Sequence, residues 1–153
     1  MGKIMRKRRT IFVWAALWIL GSALGACADS FQVTSGANEG PGSLRQAAAN
    51  ANANSEADVI DISSLVKEIY LSSAVALTGD VRINGSGTVV RGSRVARLFD
   101  ISGGDVTFQR LTLIDGYTLS ENGGAVYIDS SAATAHFVNC TFFGNRAGGS
   151  GAA

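Results

Sequence analysis

Val106-Thr-Phe-Gln-Arg-Leu-Thr-Leu-Ile-Asp-Gly116 and Ala135-His-Phe-Val-Asn-Cys-Thr-Phe-Phe-Gly-Asn145 are two copies of one pattern set 29 residues apart. Phe108 falls on Phe137, Leu111 on Cys140 and Leu113 on Phe142. Just upstream, Leu98-Phe-Asp-Ile101 falls on Ala125-Val-Tyr-Ile128 at an offset of 27, and Gly124-Ala-Val126 falls on Gly151-Ala-Ala153 at the same offset. The two additional residues of the longer offset are expected as a loop insertion near Ser130 to Ala133. One step earlier, Val81-Arg-Ile83 matches Val106-Thr-Phe108 at an offset of 25. A repeat of this length, made of short alternating strands and turns, is the signature of a solenoid. One coil cannot bury its apolar face alone, so coils must stack, about 4.8 Å apart, through parallel strand pairing. The expected fold is all-β, a right-handed parallel β-helix. A β-sandwich with an accidental repeat is the alternative, and three aligned turns argue against it.

The rest of the chain fits that frame. Phe31-Gln-Val-Thr34 alternates as a first strand would. Short strands are also expected at Val59–Ile62, Ile69–Leu71, Val81–Ile83, Thr88–Val90, Leu98–Ile101, Val106–Phe108, Leu111–Ile114, Ala125–Ile128, His136–Val138 and Thr141–Phe143. Ser43-Leu-Arg-Gln46 reads as a capping box, with the Ser43 hydroxyl accepting from the Gln46 amide and the Gln46 side chain returning to Ser43. It opens a short helix over Ser43–Asn54, with Leu44, Ala47, Ala48 and Ala51 on one face. This helix is expected to cap the first coil. The 19 glycines, with asparagine, are expected at the coil corners, where a positive φ is needed.

Five of the 13 basic residues lie within the first nine positions, followed by an uncharged apolar run, Ile11 to Ala26. That run is shorter than a membrane span and ends in small residues, the layout of a secretory signal peptide over residues 1–28. Two processing readings stand side by side. Ala26-Cys27-Ala28 fits cleavage after Ala28, starting the mature chain at Asp29. Leu24-Gly25-Ala26-Cys27 resembles a lipobox, with cleavage after Ala26 and lipidation of Cys27. From Asp29 onward 8 basic residues face 12 acidic ones, a net charge of −4, which excludes a basic nucleic-acid surface. Cys140 is then the lone thiol and is expected to face the core, so no intrachain disulfide is available.

Phe31-Gln-Val-Thr-Ser35 followed by Gly40-Pro-Gly-Ser-Leu-Arg-Gln-Ala47 resembles the opening of exported bacterial β-helix proteins with a CSLREA-type N-terminal module, Gly42 standing in place of the cysteine. Gly123-Gly-Ala-Val126 and Phe142-Phe-Gly-Asn145, with Asn139-Cys-Thr-Phe142 in the same repeat, resemble the GGA[I/V/L] and FxxN motifs of polymorphic outer membrane protein repeats. The resemblance implies a surface-exposed or secreted protein, located at the cell outer membrane, the cell surface or outside the cell. It also implies an adhesin or binding scaffold with a glycan or a host or cell-surface protein as partner. The organisation expected is a leader, a cap over 29–57, and coils over 58–153 that stop in mid-repeat, as in the N-terminal fragment of a larger protein. Membrane attachment would come only from a lipid on Cys27 or from a missing C-terminal region.

No catalytic set is visible, so a non-enzymatic role without cofactor or metal is expected. Asp100 points outward, but its equivalent one coil on is Tyr127 rather than a second acid. Asp115 and Asp129 sit where aspartate is an ordinary turn former. His136 points outward without a serine or cysteine partner at a recognisable spacing. Arg82, Arg91, Arg94, Arg97 and Arg110 are not flanked by paired acids, and Arg91, Arg94 and Arg97 form a small basic patch that would suit an anionic glycan. Gly85-Ser-Gly87 and Gly103-Gly104 lack the lysine and helix of a phosphate loop and read as turns. The alternative is the N-terminal part of a polysaccharide-active lyase or glycoside hydrolase whose active coils are missing.

Overall fold

A computed structural model of the chain describes residues 28–149. In chain order the elements are β1 (Ser30–Val33), α1 (Leu44–Ala51), β2 (Asp58–Ile62), β3 (Glu68–Leu71), β4 (Val75–Leu77), β5 (Val81–Gly92), β6 (Phe99–Ile101), β7 (Asp105–Ile114), β8 (Tyr117–Thr118), β9 (Val126–Ile128), β10 (Thr134–Val138), β11 (Thr141–Phe143) and β12 (Arg146–Ala147). Every strand pairing is parallel. The longest sheet runs β1-β2-β5-β7-β10, so five successive rungs lie side by side. β3 joins it through β5 and β11 through β7, and separate sheets β4-β6-β9 and β12-β8 complete the coils. The chain is a parallel β-solenoid of about five turns.

The register agrees with the repeat read from the sequence. Val81 pairs with Val106, Phe99 with Val126, Ile101 with Ile128, Phe108 with Phe137, and Leu113 with Phe142. One column of inward side chains therefore runs Phe31, Ile60, Ile83, Phe108, Phe137. Ile60, Ile83 and Phe108 are fully buried, and each such side chain contributes about 1.5–3 kcal/mol through removal from water. Phe108 stacks on Phe137 with ring centroids 5.1 Å apart and meets Phe99 edge-on at 4.9 Å. The outward column Gln32, Asp61, Asn84, Gln109 is polar, and Asn84 Nδ2 donates to Asp61 Oδ1 at 2.8 Å.

Several boundaries differ from expectation. Val81–Ile83 and Thr88–Val90 are parts of one strand, β5, because Gly85-Ser-Gly87 is absorbed as an irregularity where the β5–β7 register shifts. Val106–Phe108 and Leu111–Ile114 merge likewise into β7. β4 carries only three residues and gave too little alternation to stand out. The corners hold Gly104, Gly123 and Gly144 at positive φ, with Arg94, Asp115 and Asn139, and Gly87 within β5 and Arg110 within β7 share that conformation. The arginines are a departure, since positive φ is uncommon for residues with a Cβ.

Helix α1 ends at Ala51, and its expected inner face, Leu44, Ala47, Ala48 and Ala51, is buried. The Ser43 hydroxyl does accept from the Gln46 amide, at 3.2 Å. The reciprocal half of the box is absent. Gln46 Nε2 instead donates to Asn50 Oδ1 at 2.9 Å, one helical turn further on. The helix packs on β1, β2 and β4. Asn52 bonds the β4 backbone as a neighbouring strand would, donating to the Ala76 carbonyl and accepting from the Thr78 amide. Arg45 donates to the Ser73 and Ala74 carbonyls at 2.7 Å each.

The repeat motifs have structural reasons. Asn145, the last residue of Phe142-Phe-Gly-Asn145, accepts from the Gly116 amide at 2.8 Å and donates to the Leu113 carbonyl at 2.9 Å. It clamps the corner of the preceding rung. Gly123, the first residue of Gly123-Gly-Ala-Val126, has φ +67°, and a Cβ there would run into the Val126 carbonyl oxygen.

Candidate functional site

A polar cleft of about 560 Å³ opens between β6, β9 and the 119–122 loop. Strand alternation sets its two central positions. Phe99 and Ile101 face the core, so Asp100 faces out, and its partner one rung on, Tyr127, faces the same way. Glu121 arrives from the loop between β8 and β9, which is held by the Thr118 hydroxyl donating to the Glu121 carbonyl at 2.9 Å. Ser102, Ser120, Asn122 and Asp129 complete the polar lining.

Arg97 organises the cleft. Its side chain is only 10% exposed, beside buried Leu98. Nη1 donates to Asp100 Oδ1 at 2.9 Å, Nη2 pairs with the Glu121 carboxylate, and the guanidinium lies 4.7 Å from the centre of the Tyr127 ring. A cation over an aromatic face is worth about 0.5–2 kcal/mol as desolvation increases. The Tyr127 hydroxyl donates to Asp129 Oδ1 at 3.1 Å, and this bond, with the carboxylate's charge, holds the phenol's pKa above its ordinary 10.0. Tyr127 is therefore a protonated donor at neutral pH.

Each carboxylate of the cleft already serves a neighbour: Asp100 and Glu121 hold the guanidinium, and Asp129 holds the phenol. One cation faces three carboxylates, so the cleft is negative and disfavours anionic ligands. The basic patch expected from Arg91, Arg94 and Arg97 does not exist as a free cationic surface. Arg91 bonds Glu68 at 2.7 Å and Asp115 at 2.6 Å, Arg94 bonds Asp115 at 3.1 Å, and Arg97 is enclosed as described. Apart from Asp100, three residues from Arg97, the acids that flank these arginines lie 21–24 residues away in sequence, where local inspection does not find them. Asp115 is indeed a turn residue, at φ +55°, and it also bridges two arginines.

His136 is exposed, and its Nε2 lies 3.2 Å from Asp105 Oδ1. Cys140 is half-buried against the core, its thiol donating to the Phe108 carbonyl at 3.4 Å. Arg82 lines a second cleft with Asp58, Asp80 and Asp105, and Arg110 donates to the Gly85 carbonyl at 2.9 Å. Among the described residues no group of three or more histidine, cysteine, aspartate or glutamate side chains is arranged to hold a metal ion. No helix of the described residues is long and apolar enough to cross a membrane. Ala26, Cys27 and the partial repeat Gly151–Ala153 lie outside the described residues, whereas Ala28 is described and exposed.

Comparison with known proteins finds no matching family model, no matching curated protein and no matching solved structure. The likeness to polymorphic outer membrane protein repeats and to the CSLREA module therefore rests on the motifs alone.

Proposed function

We propose that this chain is an exported, right-handed parallel β-helix that acts as a non-enzymatic binding scaffold at the cell surface or outside the cell. α1 is its N-terminal cap, taking the place beside β4 that strands take in later rungs. The cleft around Tyr127 binds a neutral, hydroxyl-rich glycan, with carboxylates and serines meeting its hydroxyls. The observation that carries this reading is the mutual engagement of Arg97, Asp100, Glu121, Tyr127 and Asp129. It fixes a polar surface rigidly while leaving no carboxyl of the cleft unengaged for proton transfer. The leader layout over residues 1–28 supports export, and the spaced GGA and FxxN motifs support kinship with polymorphic outer membrane protein repeats. The gathering of three carboxylates in one cleft, one of them invisible to strand alignment, favours a second reading, a polysaccharide-active enzyme.

A glycan array probed with the exported protein decides between them. The binding reading expects retention on neutral glycans, weakened at least about tenfold by Tyr127→Ala, a loss of about 1.4 kcal/mol. Tyr70→Ala, on another face, should leave retention unchanged. Release of new reducing ends from a bound polysaccharide would support the enzyme reading. Absence of retention on every glycan would overturn both.

A further inference from the structure

The described residues contain one buried side-chain polar atom without a hydrogen-bond partner, Asp58 Oδ2. Asp58 begins β2 and is 2% exposed. Its other oxygen, Oδ1, accepts a single bond of 2.9 Å from the backbone nitrogen of Asp29. A buried carboxylate satisfied by one neutral amide is an expensive arrangement, because an ionised group leaves water only at high cost unless it is paired. The Asp29 backbone is held on its other side as well, its carbonyl accepting from the Val59 amide at 2.8 Å. The peptide nitrogen of Asp29 is also the atom that cleavage after Ala28 would turn into a free amine.

We infer that removal of the leader after Ala28 creates the missing partner of Asp58: the new α-ammonium of Asp29 forms a part-buried ion pair with the Asp58 carboxylate and locks the first strand to the second. This rests on the proposal that the chain is exported. The step is a hydrolysis by a leader-cleaving endopeptidase. Water adds across the Ala28–Asp29 amide, Ala28 departs with the leader as a carboxylate, and the Asp29 nitrogen becomes an amine that takes up a proton. One amide hydrogen is thereby replaced by three hydrogens on a cation, enough to serve both Asp58 oxygens. Ala28, Asp29 and Ser30 are all exposed, so the severed end is free to depart. Lipidation at Cys27 would leave Asp29 an ordinary amide and Asp58 half-satisfied, so the buried carboxylate favours cleavage after Ala28.

Other charges surround the pair. Asp29 brings its own carboxylate, Asp80, Arg82 and Asp105 line the cleft beside Asp58, and Asp105 is in turn engaged by His136. The net acidity reinforces the ammonium form.

The test exports the full chain with its own leader and identifies the first residue of the product by N-terminal sequencing and intact mass. The product is then acylated with an amine-reactive ester at about pH 8, near the ordinary pKa of an α-amine. Lys67, the only lysine beyond the leader and an exposed one, serves as internal reference. The expected product begins at Asp29. Its α-amine should react about fivefold more slowly, relative to Lys67, than in Asp58→Asn, the effect at this pH of an ion pair that raises the amine's pKa by about one. The same protection should vanish when the wild-type product is unfolded in urea, a comparison that holds even if Asp58→Asn does not fold. A product beginning at Cys27 or elsewhere overturns the inference. One beginning at Asp29 but as reactive folded as unfolded overturns the ion pair and leaves export standing. A chain retained inside the cell with Met1 in place overturns both.

Discussion

The middle rungs and the last described rung are built from the same sequence pattern, yet they are buried very differently. Phe108 is fully buried, whereas Phe137, its equivalent in β10, is 39% exposed. Ile101 is fully buried, and Ile128, its partner in β9, is 43% exposed. The difference lies in the number of neighbours. Phe108 has a rung on either side, but β10, which carries Phe137, pairs with β7 alone among the described residues. At the opposite end Val33 in β1 is fully buried, α1 packs on β1, β2 and β4, and Asn52 and Arg45 bond the Ala76 and Ala74 carbonyls. A repeat thus supplies columns, but a column is protected only where something covers its end.

The strongest test of that contrast is deletion of equivalent rings. Phe108→Ala should cost about 3–5 kcal/mol in urea unfolding, the range for emptying a packed aromatic site. Phe137→Ala, at the equivalent ring one rung on and 39% exposed, should cost clearly less. Equal losses would break the distinction between interior and terminal rungs.

Next in size is association. The 153-residue chain produced alone should form concentration-dependent oligomers through β10 and β11, where Phe137, Val138 and Phe143 are exposed. Val138→Lys with Phe143→Lys should shift sedimentation toward monomer, since charged side chains blunt an open edge. A wild-type chain that sediments as a stable monomer at all concentrations would remove this consequence of the exposed rung.

At the N-terminal end of the described residues the effects are smaller. Ser43→Ala removes the helix N-cap and should cost about 1 kcal/mol, whereas Gln46→Ala should cost much less because Gln46 does not close the box. Comparable losses would mean that the reciprocal bond exists in solution.

The smallest effect concerns an interior corner. The Arg91 hydrogen bond, then that of Tyr70, holds the Glu68 pKa below its ordinary 4.5. A lowered carboxylate pKa contributes stability that is fully present above the unfolded value and is lost as pH falls through the folded value. Glu68→Gln should therefore lower the melting temperature slightly above pH 4.5, and the two proteins should converge below it. The side chain is half-buried, 34% exposed, so solvent screening keeps the effect small. A gap that persists into acid would assign Glu68 a role other than its charge.

The fold was legible because two of its determinants are local and recur. Alternation of period two marks which side chains face in, and a recurring offset marks which residues stack. Val81 over Val106, Phe99 over Val126 and Phe108 over Phe137 all follow from the sequence spacing. So could the buried face of α1 and the outward placement of Asp100, Tyr127 and His136. The partners formed between corners were not legible. Glu121 reaching Arg97, Asp115 bridging Arg91 and Arg94, and Asp58 bonding Asp29 all join loops or strand ends of different rungs. Their separations vary from 21 to 29 residues. Loop lengths change from coil to coil, so no fixed spacing announces these pairs. Strand periodicity is a property of the backbone that each residue carries with it. The meeting of two corner side chains depends instead on how every intervening loop closes, and only the folded chain sets that.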